Sequence, residues 1–237
     1  AVQHHHFAHY NAEECKTGYE TSLHLLAKSI LSENKKILLP AVFVFESDPK
    51  WKIADEMLTS FDHVDVEVNQ GDIIPDLVGY VSDRKLLIEV RVTHAVDENK
   101  KSKIIQRGTS CIEIDLSNFE GEITKEDLAK FLMSDSSRLK WIYNAHTIKY
   151  QIALSLFQEK IWLIYRGFAL HAETCPIPAR TWKGIAYANF FEDCSNCSFL
   201  RDYQTSEPDK SKHVGHILCS GKFNVGCIDD LKQELTK

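Results

Sequence analysis

No run of about 18 consecutive apolar residues occurs in the 237-residue chain, so a membrane-spanning helix is not expected. The opening segment, Ala1-Val2-Gln3-His4-His5-His6, lacks the charged start and apolar stretch of a secretory signal, and the expectation is a cytoplasmic protein that does not engage membranes. A basic surplus is also missing: 28 Lys and Arg stand against 34 Asp and Glu, a net charge of -6. That argues against a protein that coats nucleic acid, because phosphate binding on that scale needs excess positive charge. It leaves room for one that gathers carboxylates around a metal while a local basic stretch, Lys100-Lys101-Ser102-Lys103 through Arg107, meets phosphates. Nor are the cysteines even in number. Seven, without an export signal, read as metal ligands and buried thiols before disulfides.

What is present is a balanced globular composition, 43% hydrophobic and 26% charged, which does not indicate disorder. Tyr19 to Glu33 places Leu23, Leu26, Ala27, Ile30 and Leu31 at the three-and-four spacing of an amphipathic helix. Its other face carries Glu20, His24 and Lys28, each four residues apart, which alone would be a solvated face with favourable pairs. Ile37 to Phe45 reads as a buried strand despite Pro40, and His63 to Val68 alternates as a half-buried strand should. Asp76 to Val81 and Lys85 to Thr93 read as a hairpin. Asp97 to Arg107 follows as a helix over the sheet, and Cys111 to Leu116 as a further strand. Thr124 to Leu132 and His146 to Lys160 are helical patterns, and the chain from about Phe168 is richer in cysteine and proline. The order is helix, several strands, helix, strand: an α/β fold with a mixed sheet, a helical extension and a separate C-terminal module.

The hairpin sets Asp76 at the start of one strand and Glu89 in the next. Alternation turns Glu89 and Arg91 to one face and Ile88, Val90 and Val92 to the other, so the polar pair is expected to face a cleft. Two carboxylates with a cation beside them make an oxygen-rich site suited to Mg²⁺ or Mn²⁺.

Pro75-Asp76, twelve residues, then Glu89-Val90-Arg91 resembles the PD-(D/E)XK phosphodiesterase signature. His6-Phe7-Ala8-His9, Glu20-Thr21-Ser22-Leu23-His24, the Asp76 and Glu89 segments, and Ile112 to Ser117 together resemble the competence protein CoiA-like branch of these nucleases, over roughly residues 4 to 117. The resemblance implies a restriction-endonuclease-like core and a metal-dependent nuclease acting on nucleic acid, DNA in the first instance. It places Glu20 beside Asp76 and Glu89 as a ligand of Mg²⁺ or Mn²⁺. Arg91 stands where the family has lysine. Arginine keeps the charge but cannot lose its proton near neutral pH, so it can position water or phosphate without acting as a base. Lys100, one helical turn past the strand end, is the candidate for the displaced ammonium, with Lys103 second. The alternative is a catalytically impaired nuclease fold that binds nucleic acid or protein within a DNA-processing or defence complex. Cutting both strands of a duplex takes two sites, so a homodimer is a further expectation.

Cys194-Ser195-Asn196-Cys197 is a C-x₂-C knuckle, half of a tetrahedral structural zinc site. Cys175 and Cys219 are taken as the other half, with Cys227 and His216 as competitors. Nearby Arg180, Lys183 and Arg201 are candidates for gripping DNA. His4, His5, His6 and His9 are either a tag remnant or native, with Cys15 a further partner if they bind metal. The expected domains are residues 1–165, nuclease-like with its helical extension, and 166–237, the zinc-binding module.

Overall fold

A computed structural model describes residues 12–93, 95–117, 123–177, 179–205 and 213–237, with side chains from residue 22 onward. His4, His5, His6 and His9 lie outside the described residues, as do the side chains of Cys15 and Glu20. The protein is mixed α/β and divides into two compact units, residues 1–42 with 54–145 and residues 43–53 with 146–237. Among the described residues no helix is long and apolar enough to cross a membrane.

Helix α1 (Ala12–Asn34) and strand β1 (Lys36–Leu39) belong to the first unit, and strand β2 (Val42–Phe43) leads into residues 43–53, which belong to the second. The expected single strand from Ile37 to Phe45 is thus broken at Pro40, which has no N–H to give a ladder. Strands β3 (Lys52–Ala54), β4 (Met57–Ser60), β5 (His63–Val66), β6 (Leu77–Val81) and β7 (Arg84–Arg91) follow, then helix α2 (Glu98–Arg107), strand β8 (Cys111–Asp115), helix α3 (Lys125–Ser134) and strand β9 (Leu139–Tyr143). The main sheet runs β5-β6-β7-β8-β9, and β1 pairs separately with β4. Every neighbour in the main sheet is antiparallel except β7 and β8. A parallel pair needs a crossover, and α2 supplies it.

Alternation along the strands explains the layering. Leu77, Leu86, Ile88, Val90, Ile112 and Ile114 join Leu23, Ala27, Ile30 and Leu31 of α1 and Leu128 and Leu132 of α3 in one cluster. The opposite side chains, Val78, Leu87 and Cys111, pack with Ile104 of α2. Helices therefore cover both faces of the sheet. The apolar stripe expected on α1 is the one that is buried, and the helix begins some turns earlier than Tyr19. Asp97 caps α2 by accepting from the Lys100 N–H, and Gly108, with φ of 65°, ends it in the left-handed region that glycine tolerates. Thr124 caps α3 in the same manner. On β6 a side chain at Gly79 would meet the Phe61 ring at 2.5 Å, so only glycine lets that ring lie across the strand.

The second unit contains helix α4 (Ala145–Ser155), strands β10 (Glu159–Arg166), β11 (Ala169–Glu173), β12 (Arg180–Trp182), β13 (Ile185–Asn189), β14 (Leu200–Thr205) and β15 (Gly215–Cys219), and helix α5 (Ile228–Glu234). Its six-stranded sheet is antiparallel throughout, in the order β12-β13-β11-β10-β15-β14. The expected helix to Lys160 stops at Ser155. Ile161 and Leu163 alternate inward along β10, a strand in the middle of this sheet, so the unit begins near residue 146 and not near residue 166. Residues 43–53 also belong to it: Val44 and Trp51 pack with Leu154, Val225, Ile228 and Leu231.

Candidate active site and a ring of thiols

In the first unit the site forms where β6 begins. The ladder between β6 and β7 has its last pair at Leu77 and Ile88, and the Asp76 carboxylate takes over the next rung, Oδ2 accepting from the Val90 N–H at 2.8 Å. Asp76 Oδ1 lies 2.8 Å from Lys28 Nζ and Oδ2 lies 3.1 Å from His24 Nε2. Burial would raise the pKa of Asp76, but hydrogen bonds from His24, Lys28 and Val90 outweigh it and hold the carboxyl well below the usual range. Lys28 is 4% exposed and also donates to Glu67 Oε1 at 2.7 Å. Burial opposes its charge, yet the two carboxylates raise it above an ordinary lysine. The expected strand through Val68 ends at Val66, because Glu67 turns out with φ of 53° and its N–H donates to the Asp76 carbonyl.

Glu89, on the α2 face of β7, is 4% exposed. Lys100 Nζ lies 2.7 Å from its Oε1 and donates to Oε2 at 2.8 Å, and also donates to the Ile74 carbonyl at 2.9 Å. Burial pushes the Glu89 carboxyl up to about 7 against the pull of that ammonium. The expected open cleft is therefore a covered face, filled by the first turn of α2. Although Oε1 is close to the ammonium, it receives no well-directed hydrogen bond, which leaves a buried acceptor with unused capacity.

Of the residues expected at the site, Asp76, Glu89 and Lys100 come together. Arg91 does not join them. It lies 3.3 Å from Asp115, the residue opposite it on β8, and its Nε has no hydrogen-bond partner among the described residues. Glu20 falls within α1, one turn before His24. Lys103 donates to the Asp72 carbonyl at 3.2 Å and serves the neighbouring loop. Glu113, opposite Glu89, accepts from the Val96 N–H at 3.1 Å and ties down the approach to α2. Two site residues, His24 and Lys28, stand in the sequence as an ordinary polar helix face. Their spacing four apart, one turn beyond Glu20, is the signal that they share a direction.

As placed, no three His, Cys, Asp or Glu among the described residues hold a common point for a metal ion. The residues nonetheless suit a hard divalent cation in two respects: Glu89 Oε1 is buried without a donor, and Asp76 is near enough to help raise the pKa of Glu89. A third carboxylate would have to come from Glu20.

In the second unit Cys175, Cys194, Cys197 and Cys219 line one cavity of ≈ 60 Å³. Thr174, with φ of 55°, turns the chain out of β11 to bring Cys175 there. Cys194 closes a π-helical turn, Phe190–Cys194, and the Cys197 N–H returns to its carbonyl at 2.9 Å. Cys219 ends β15, and its sulfur accepts from the Gly221 N–H at 3.4 Å. Burial, then the neighbouring thiols, pushes Cys194 up to about 12. Cys227 stands elsewhere, at the start of α5, where its N–H donates to Asp230 Oδ2 at 3.1 Å. His216 points to the face of β15 opposite Cys219 and meets the Trp162 ring edge-on at 6.0 Å. Of the cations expected to grip DNA, Arg180 is taken up by Asp193 at 2.7 Å and by Glu192. Arg201 lies over the Trp51 ring, 4.7 Å from its centroid.

No protein-family model, curated protein or solved structure matches the chain.

Proposed function

We propose that the first unit is a metal-dependent nuclease of the PD-(D/E)XK type, acting on DNA in the cytoplasm. The observation that carries this reading is the meeting of Lys100 with Glu89 beside an Asp76 pinned by the Val90 N–H. A strand-borne glutamate, an aspartate at the head of the neighbouring strand and a lysine supplied by the next helix reproduce the charge pattern of the signature with the lysine relocated. Asp76 and Glu89, with Glu20 from α1, would hold Mg²⁺ or Mn²⁺, which when bound would polarise a phosphodiester and lower the pKa of a coordinated water.

The chain's own residues prepare that site. Lys28 and His24 hold Asp76 ionised and oriented, so its carboxylate is ready for a cation without a proton to lose first. Lys100 keeps a positive charge beside Glu89, where it can orient an attacking water or meet a phosphate oxygen once a metal takes the carboxylate. Arg91, turned to Asp115, is assigned a supporting place in the sheet and not the role of the missing lysine.

Plasmid and single-stranded DNA incubated with the protein and Mg²⁺ or Mn²⁺ should be cleaved, and Asp76→Ala or Glu89→Ala should abolish cleavage. Cleavage that survives both substitutions would sink the reading. A second reading rests on the same ion pairs: Lys28 and Lys100 already neutralise the two carboxylates, as suits a nuclease fold that has become a binding component of a DNA-processing or defence assembly. Salt-dependent DNA binding with no metal-dependent cleavage would select it.

A further inference from the structure

The second unit has a feature the nuclease reading does not use. Four of its cysteines reach one cavity from three separate stretches of backbone: the turn after β11, the knuckle that runs from the π-helical turn to Cys197, and the end of β15. Cys194 and Cys219 are buried and Cys175 and Cys197 partly so, and because a thiol is only a weak hydrogen-bond donor and acceptor, hydrogen bonding among them does not account for the convergence of four. One local arrangement favours sulfur carrying negative charge, the Gly221 N–H pointing at the Cys219 sulfur, and a second sets the ligand spacing, the Cys197 N–H returning to the Cys194 carbonyl in a knuckle. An N–H directed at sulfur two residues on is the outer-shell support a metal-bound thiolate needs.

Arg201 supplies a third indication. Its guanidinium lies 4.7 Å from the ring centroid of Trp51 and 5.8 Å from that of Phe45, and forms no ion pair with a carboxylate among the described residues. Burial opposes its charge, and what offsets this comes from Cys219 and Cys197 first and from the Asp48 carboxylate after them. A half-buried cation without a paired carboxylate is costly unless something nearby bears negative charge. Four neutral thiols do not. Four thiolates around one divalent ion carry a net charge of about two units negative, which Arg201 offsets in part.

We propose that Cys175, Cys194, Cys197 and Cys219 form a tetrathiolate site for one structural Zn²⁺, with Arg201 as its counter-cation. The strand faces choose this set over its rivals, since Cys227 serves the start of α5 and His216 lies on the other side of β15. On binding, each thiol releases one proton to solvent and forms one Zn–S bond, with no change of oxidation state. Four sulfurs leave no open position for water, so the ion is structural. Cys175, whose thiol donates to the Ile177 carbonyl at 2.7 Å, exchanges that contact for the metal.

The test measures the metal content of the purified full chain by mass spectrometry and the absorption of its Co²⁺-exchanged form. One zinc per chain and the sulfur-to-cobalt charge-transfer bands of a tetrathiolate are expected, unchanged in Cys227→Ser. The double variant Cys194→Ser, Cys197→Ser should lose the ion, and Arg201→Met should keep the stoichiometry but bind it about 10-fold more weakly. Should the double variant fail to fold, thiol counting on the intact protein replaces it, with four thiols shielded from alkylation until a chelator is added. Iron in place of zinc, disulfides among the four, zinc retained by the double variant, or four freely reactive thiols would each overturn the proposal.

Discussion

The two units solve the burial of reactive side chains in opposite ways. In the first, the buried charges at the site have partners of opposite sign already in place: Lys28 with Asp76 and Glu67, Lys100 with Glu89. In the second, the gathered groups are thiols, which are cheap to bury neutral and repel one another once ionised. Carboxylates taken from water must be compensated at once, so the protein builds the cations in. Thiols can wait for a cation that arrives later. The first unit should therefore hold its shape without a metal, whereas the second should depend on one.

Metal removal probes that contrast most directly. A strong chelator should unfold the second unit while the first keeps its cooperative transition, read as one of two transitions lost in calorimetry. If both units survive chelation unchanged, the contrast is wrong. Next in size, Asp76→Ala or Glu89→Ala should lower DNA cleavage by more than about 100-fold, beyond what loss of an outer-shell partner costs, without lowering the zinc content. Lys28→Met should then destabilise the first unit by roughly 3 kcal/mol, because it removes one side of a buried pair and leaves Asp76 under-compensated. Chemical denaturation with and without the substitution measures this.

A smaller effect concerns pH. Glu89 is raised in the folded protein from an ordinary 4.5 to about 7, so between those values the folded state binds more protons than the unfolded one. This group's contribution to stability must then fall as pH rises through that window, and Glu89→Gln should flatten the slope. Asp76 acts with the opposite sign: its lowered pKa contributes stability above the unfolded value of about 4 that is lost as pH falls. Denaturation midpoints in chelator across this range separate the two. The smallest change is expected for Arg91→Gln, which loosens a half-exposed pair with Asp115 and should alter cleavage far less than Lys100→Gln.

Much of the first unit was legible from pattern. The stripe Leu23, Ala27, Ile30 and Leu31, the caps Asp97 and Thr124, and the alternation through β7 and β8 follow from local periodicity, and the structure buries or caps those residues. That Lys100 would stand near Glu89 was also readable, because one helical turn fixes how far past the strand end it stands. The second unit was read poorly. Its strands are short, and Leu156 and Phe157 continue the apolar spacing of α4 closely enough that the helical pattern runs on to Lys160, over Glu159 and Lys160 of β10. Their pairing with distant strands decides the matter, and local periodicity carries no information about such partners.

For this protein the sequence by itself determined which residues could do chemistry: the carboxylates Asp76 and Glu89, the lysine in the first turn of α2, and the C-x₂-C of Cys194 and Cys197. Tertiary structure alone decided which of them meet. It turned Arg91 toward Asp115, brought His24 and Lys28 onto Asp76, and chose Cys175 and Cys219 over Cys227 and His216 as neighbours of the knuckle. The reason is geometric. Spacing along a helix or strand sets the direction of a side chain, but the group at the other end of that direction belongs to a remote segment, and only packing brings it there.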